Sequence, residues 1–277
     1  MKKRSVIVSF IAMMAFCMFF ACSPKGISGE ATAYGVVHAH YVGKVEIEVE
    51  EGFIKSVIFD EMEMPYSWAA VTRTNEGSDE APSYVYKIQD VEIAEADFAN
   101  QGNAFFARKI KIGNETLTLK GAPTRGVYAN ANIDGAYGIE TWLRFENNAI
   151  WYWEQMAAGN YEVLKDDGSA YAIDWTRTSP VANTKGDRWQ KSKNAYNPSW
   201  VGLDADKTPG RGWKDNMNAM ATYLVGKNPN QIGTQKMGAT QAGNGKEAWE
   251  FDSSTGATLV DISEYFEVAA HAFHKVR

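Results

Sequence analysis

Side chains suited to chemistry are concentrated in one short segment near the end of the chain. Residues 252–258 are Asp-Ser-Ser-Thr-Gly-Ala-Thr: an acid, several hydroxyls, two small residues and a final threonine. Apolar residues then recur every three or four positions, as on one face of an amphipathic helix: Leu259, Ile262, Phe266, Ala269, Phe273 and Val276. We therefore expect Thr258 at a helix N-terminus, where free backbone N–H groups favour a phosphate.

The same residues also fit an ordinary helix cap. Thr258 is followed three positions later by Asp261, which is close to a capping box. Taken alone, Thr-Gly-Ala-Thr favours this interpretation. A second Gly-Ala-Thr sequence ends at Thr240, but it has Thr234 in place of the leading acid, so we predict no special role for it.

The longer pattern, Asp-x-x-[Ser/Thr]-Gly-Ala-Thr before a short terminal helix, resembles the flavinylation motif of the FMN-binding domain family. That family includes one subunit of the sodium-pumping NADH:quinone oxidoreductase, one subunit of the Rnf complex and flavin-carrying extracytoplasmic lipoproteins. The resemblance aligns Asp252 with the leading acid, Thr255 with the Ser/Thr position, Gly256 and Ala257 with the small pair, and Thr258 with the acceptor. The chain departs from many members of the family two residues later, where Val260 replaces Ser or Thr.

The resemblance implies a cofactor and several partners. A flavin transferase would join the phosphate of FMN to Thr258, and Asp252 would help it to select the site. Trp249, a few residues earlier, offers an aromatic face to the flavin. A membrane dehydrogenase or a quinone-linked donor would supply electrons. The flavin would do the redox chemistry, so we expect an electron-transfer flavoprotein more than an independent enzyme.

The N-terminus predicts export and a lipid anchor. Three basic residues precede an apolar run from Val6 to Ala21, which is typical of a signal peptide and short for a transmembrane helix. Phe19-Phe20-Ala21-Cys22 resembles a bacterial lipobox, with Cys22 as the lipidated residue. An ordinary signal peptide with a coincidental cysteine is the alternative. We expect residues 1–21 to be removed, residues 22–33 to form a tether, and the protein to be lipid-anchored to a bacterial membrane on its extracytoplasmic side.

Charge and cysteine content exclude other classes. Loss of residues 1–21 removes three basic residues and no acidic one, so the net charge changes from −6 to −9. A protein this acidic is a poor binder of nucleic acid. Cys17 lies in the removed segment, so the mature chain has only Cys22 and no disulfide or cysteine-based metal site.

The fold class is predicted as α+β, an antiparallel β-rich domain with a C-terminal helix after the motif. Lys44–Glu50 alternates charged and β-branched residues, and Glu51-Gly52 is a turn before a second strand from Phe53 to Phe59. This hairpin resembles the opening of FMN-binding domains. We therefore predict one domain over 34–277, split into about 34–62 and 245–277 around a long β-rich insertion, 63–244.

Further elements are predicted inside the insertion. A helix is expected at Trp213–Val225, stopped by Gly226, and another at Val91–Ala99. Antiparallel hairpins are expected at three places: Arg108–Ile112 with Thr116–Lys120, Ile139–Glu146 with Ala149–Gln155, and Tyr161–Leu164 with Tyr171–Trp175.

Two other functions fit parts of the sequence. The pairs His38/His40 and His271/His274 could together hold a metal or haem if the first strand lies against the last helix, although exposed surface positions explain them as well. The nine tryptophans and the loop-rich middle could instead bind a carbohydrate or a peptide. Trp142, Trp151 and Trp153, in one predicted hairpin, are expected to be core residues.

Overall fold

The structure is a computed structural model that describes residues 26–37, 41–101, 104–119, 128–129, 138–175, 181–182, 213–228, 236–241, 247–249 and 263–276. The fold is α+β, with antiparallel sheets and a C-terminal helix, as predicted. Within these ranges no helix is long and apolar enough to cross a membrane.

Fifteen strands and five α-helices are described in these ranges. The strands are β1 (Gly29–Val37), β2 (Tyr41–Glu50), β3 (Phe53–Glu63), β4 (Ala70–Asn75), β5 (Tyr84–Ile88), β6 (Val91–Glu92), β7 (Phe98–Gln101), β8 (Ala104–Ala107), β9 (Lys109–Ile112), β10 (Glu115–Leu119), β11 (Tyr128–Ala129), β12 (Tyr161–Leu164), β13 (Val181–Ala182), β14 (Lys236–Gln241) and β15 (Glu247–Trp249). The helices are α1 (Pro65–Trp68), α2 (Ile139–Leu143), α3 (Glu146–Ala157), α4 (Trp213–Leu224) and α5 (Ser263–Lys275).

The first sheet has the order β1-β2-β3-β13 and is antiparallel throughout. Its alternation is the one that the sequence predicts: Val45, Ile47 and Val49 are buried, while Glu46 and Glu48 between them lie on the opposite face. The turn at Glu51-Gly52 has positive φ at both residues, 53° and 83°. Glycine adopts this conformation without strain, which explains why the hairpin turns there.

One face of the first sheet packs against helices from late in the chain. Helix α5 crosses β1 and β2, and α4 lies on β3. A Cβ on Gly35 would be only 2.7 Å from Cγ2 of Val268, so strand and helix approach closely. The Nζ of Lys275 donates to the carbonyl of Thr32 at 2.7 Å. Strands near the start of the chain and the helix at its end therefore share one hydrophobic core.

The opposite face of the first sheet belongs to a second hydrophobic core. Val36, Val42 and Met62 pack there with α2, α3 and strands from residues 65–175, which we name the middle segment. Those strands form a sheet of order β11-β10-β9-β12 and another of order β6-β5-β4-β8-β7. β14 and β15 pair separately. The first sheet is thus covered on both faces.

Several predicted elements are confirmed. The hairpin around Gly113 is present as β9 and β10, and Gly113 has a φ of 57°. Helix α4 covers the predicted segment and ends before Gly226, whose φ of 80° is typical of a helix C-terminus. β12 is also present, but the strand predicted at Tyr171–Trp175 is not formed, and one bridge, between Leu164 and Ala170, stands in its place.

Two predictions inside the insertion are wrong. Residues 139–155 form helices α2 and α3 and not a hairpin, because Ala149, Tyr152 and Met156 recur at helical spacing and all face the core. Their aromatic content favoured strands, but tertiary packing outweighs that propensity. Residues 91–99 hold a two-residue strand, a 3-10 turn at Glu95–Asp97 and the start of β7, in place of the expected helix.

Candidate functional site

The flavinylation-like motif lies outside the described residues. This applies to Asp252, Thr255, Gly256, Ala257 and Thr258, and also to Cys22, His38 and His40. Trp249 ends β15, where it pairs with Lys236, but its side chain is outside the described part of the chain. The described part of the C-terminal helix begins at Ser263.

The first turn of α5 is held to the sheet by a buried polar contact. Glu61 lies on β3 in the row of alternating residues that face the helices, after Val57 and Phe59. It is buried, and its Oε2 accepts a hydrogen bond from the hydroxyl of Tyr265, which is also buried. The ring of Tyr265 meets Phe59 edge-on, with 5.9 Å between the ring centroids. The contact joins positions 204 residues apart in sequence.

Further buried polar groups lie at the same end of β3. Glu63 is buried two residues after Glu61. Its backbone carbonyl accepts a hydrogen bond of 2.6 Å from the hydroxyl of Tyr152, which in turn accepts one of 3.1 Å from Nε1 of Trp68. Burial raises the pKa of Tyr152, although the hydrogen bond from Trp68 opposes that shift, so the phenol stays protonated.

These carboxyl groups were not among the predicted site residues. The signal was present, because Glu61 and Glu63 continue the apolar alternation of Val57 and Phe59 with acids at inward positions. Acids are rarely buried unless they are hydrogen-bonded or paired, so such positions are often functional or structurally essential. We name Glu61, Glu63 and Tyr265 the β3-end cluster.

A second polar contact joins three parts of the fold. Glu146, the first residue of α3, accepts two hydrogen bonds. One comes from Nζ of Lys275 at 2.7 Å and the other from the backbone N–H of Tyr34 at 3.1 Å. Burial acts to raise the pKa of Glu146, but the hydrogen bonds from Lys275 and Tyr34 outweigh it and hold that pKa below its ordinary value. This carboxylate thus ties the C-terminal helix and the first strand to the middle segment.

The two described histidines are exposed on the flank of α5. Nε2 of His271 is 3.8 Å from Oε2 of Glu146, and His274 lies against the ring of Phe273. Within the described ranges no group of three or more histidine, cysteine or acidic side chains could hold a metal ion. These positions agree with the surface interpretation of His271 and His274.

A polar cleft of about 400 Å³ lies on the middle segment, away from α5. It is formed where α3 ends and β9 and β12 pair, and it is lined by Lys111, Gly113, Asn114, Gln155, Gly159, Asn160, Tyr161 and Glu162. The two charged residues of this lining oppose each other, with Nζ of Lys111 3.6 Å from Oε2 of Glu162. Paired charges and several amides suit a small, uncharged, hydroxyl-rich ligand.

The described residues thus contain a buried cluster that fixes the start of α5, a carboxylate that fixes its end, and a separate polar cleft. The buried cluster can position the chain that enters α5, since its hydrogen bond and packing hold the first helical turn. Comparison of the chain with family models, with curated proteins and with solved structures finds no match in any of the three.

Proposed function

We propose that this protein is a membrane-anchored extracytoplasmic flavoprotein that carries FMN on Thr258 for electron transfer. The observation that carries the proposal is the pattern Asp252-x-x-Thr255-Gly256-Ala257-Thr258. The described helix α5 begins five residues after Thr258; it is amphipathic and packs across the first two strands. A mere cap needs only the threonine, whereas the flavinylation motif needs the acid, the small pair and the helix together.

The packing of α5 supports attachment at a defined place. Tyr265 fixes the first turn through Glu61, and Lys275 fixes the last turn through Thr32 and Glu146. Thr258 precedes Ser263 by five residues, so covalent geometry keeps it within roughly 18 Å of that residue. A phosphate on Thr258 would therefore stay tethered to the first turn of α5, which the β3-end cluster holds.

The residues present fit a tethered flavin. The threonine hydroxyl can form the phosphoester, and the small Gly256 and Ala257 leave space for a bulky group beside the backbone. Tyr265 is fully buried, so it positions the helix and does not present its hydroxyl to a ligand. FMN when bound supplies the redox chemistry, and the chain supplies attachment and orientation.

The remaining parts of the proposal concern location and partners. Cys22 would carry the lipid, a flavin transferase would load the cofactor with help from Asp252, and a membrane dehydrogenase or quinone-linked donor would reduce it. Covalent attachment suits a compartment where a free cofactor would diffuse away. The protein then relays electrons and needs no substrate pocket of its own.

The test is flavin fluorescence of the denatured protein in a gel, after co-expression with a flavin transferase. We expect a fluorescent band for the wild type and no band for Thr258→Val. The matched control is Thr240→Val, at the other Gly-Ala-Thr sequence, which should keep the flavin. Asp252→Ala should be loaded more slowly. Fluorescence retained by Thr258→Val would refute attachment at that residue.

The polar cleft favours a second candidate, a lipoprotein that binds a small carbohydrate. Its amides and its opposed Lys111 and Glu162 can hydrogen-bond sugar hydroxyls. A wild-type protein that stays dark, with the transferase active on a control substrate, would favour this candidate.

A further inference from the structure

Exposed apolar side chains are concentrated at one end of the first sheet. Six large hydrophobic residues of the described ranges are exposed, and three of them lie at this end: Ile27 at 40%, Phe53 at 48% and Val225 at 49%. They lie before β1, at the β2–β3 turn and just after α4. We name these three residues the basal surface.

Backbone hydrogen bonds join the three segments of the basal surface into one unit. The N–H of Gly52 donates to the carbonyl of Ile27, and the N–H of Ile54 donates to that of Lys227, both at 2.8 Å. Gly226 donates in return to the carbonyl of Ile54, also at 2.8 Å. The chain before β1 also packs tightly here, since a Cβ on Gly26 would lie 1.9 Å from the carbonyl carbon of Glu51.

The N-terminal tether reaches the fold at this same end. Cys22 precedes Gly26 by four residues, and four residues span at most about 14 Å. A lipid on Cys22 would therefore hold the basal surface close to the bilayer. This step rests on the lipid anchor of the proposed function, and it does not depend on the flavin.

We propose that the basal surface lies against the lipid bilayer and so sets the orientation of the protein. Phe53 and Glu61 are eight positions apart on β3, which corresponds to about 26 Å at the usual rise of a strand. The β3-end cluster and the first turn of α5 then face away from the membrane. An electron carrier placed there would be open to a partner outside the bilayer.

The contact is apolar and not electrostatic. Lys55, next to the turn, is already paired with Glu48 at 2.9 Å and Glu50 at 3.7 Å, and Glu51 at the turn is exposed. Lys227 lies over the ring of Tyr223, with its Nζ 4.3 Å from the centroid. Glu48, Glu50 and Glu51 outnumber Lys55 and Lys227 here, so anionic lipid should add little to the contact.

The test places an environment-sensitive fluorophore on single cysteines of the full, lipidated protein in phosphatidylcholine vesicles. The lipidated mature chain has no other thiol, since Cys17 is removed and the sulfur of Cys22 carries the lipid, so wild-type protein should take up no label. Ile27→Cys, Phe53→Cys and Val225→Cys are compared with Ile58→Cys and Tyr84→Cys, which are similarly exposed at 56% and 47% and lie elsewhere.

We expect blue-shifted emission at positions 27, 53 and 225, and a loss of that emission when part of the lipid is brominated. Positions 58 and 84 should show neither change. Equal quenching at all five positions, or quenching at 58 and 84 alone, would overturn the orientation. Protein that fails to float with the vesicles would overturn it too, because the tether would then not be anchored. In-gel flavin fluorescence of the same preparations reports separately on Thr258.

Discussion

Replacing Tyr265 by phenylalanine would remove only the hydroxyl that hydrogen-bonds to Glu61. The ring would keep its edge-on contact with Phe59 and its place in the core between α5 and the first sheet. The variant therefore separates the hydrogen bond from the packing of the aromatic ring.

The expected magnitude follows from burial. Both partners are buried, with 1% of Glu61 and 0% of Tyr265 exposed. Loss of one partner from a buried hydrogen bond costs about 1–3 kcal/mol. For a domain of this size, each kcal/mol lowers the thermal midpoint by about 2–4 °C. We expect a free energy of unfolding lower by that amount, with an unchanged dependence on denaturant.

The assay is urea unfolding of the wild type, Tyr265→Phe, Glu61→Met, which removes the acceptor oxygens at a similar side-chain length, and the double variant. The matched control is Tyr84→Phe, which removes a hydroxyl from an exposed ring and should be close to neutral. Because the two residues share one bond, the double variant should lose less stability than the two single losses added together. Strict additivity, or a neutral Tyr265→Phe, would refute the reasoning.

The remaining predictions concern the other contacts of α5. Glu146→Gln should lower the free energy of unfolding at pH 7. The pKa of Glu146 is depressed in the folded protein, so its ion pair with Lys275 stabilises the fold at pH values above the ordinary pKa of 4.5. That stabilisation is lost as the pH falls through the folded pKa. Urea unfolding at several pH values should show that the difference in free energy of unfolding between wild type and variant disappears as the pH becomes acidic. A difference that stays constant with pH would contradict this. Gly35→Ala should cost about 1–3 kcal/mol, because its Cβ would meet the stiff Val268 side chain, and Val268→Ala should relieve much of that cost. Thermal unfolding measures both variants, and a neutral Gly35→Ala would show that strand and helix are less closely packed.

Much of the first sheet was predictable because its signals are local. The alternation of Val45, Ile47 and Val49 and the Glu51-Gly52 turn define β2 and β3 without knowledge of their neighbours. Helix α4 and its stop at Gly226 are also local. The hairpin predicted at residues 139–155 was wrong because aromatic and branched residues suit strands as well as helices. The core into which Tyr152 packs decides between the two.

The candidate site also has some features that the sequence predicts and others that only the tertiary structure shows. The motif that ends at Thr258, the lipobox-like Cys22 and the exposed flank of α5 could be identified from residue types and spacing. Of the β3-end cluster, the acids at inward positions of β3 were visible in the sequence, but their partner was not, because Tyr265 lies 204 residues after Glu61. The basal surface likewise combines residues from three separate segments.

The sequence by itself determined the fold class, the first hairpin, two of the helices and the motif on which the proposed function rests. These features follow from hydrophobic periodicity, turn residues and motif spacing, and each of these patterns can be read within a short segment of the chain. The tertiary structure alone decided that α5 packs on β1 and β2, that Glu146 ties α3 to α5 and β1, and which acids are buried. Those features depend on contacts between residues that are distant in the chain, and such contacts leave no local pattern in one sequence.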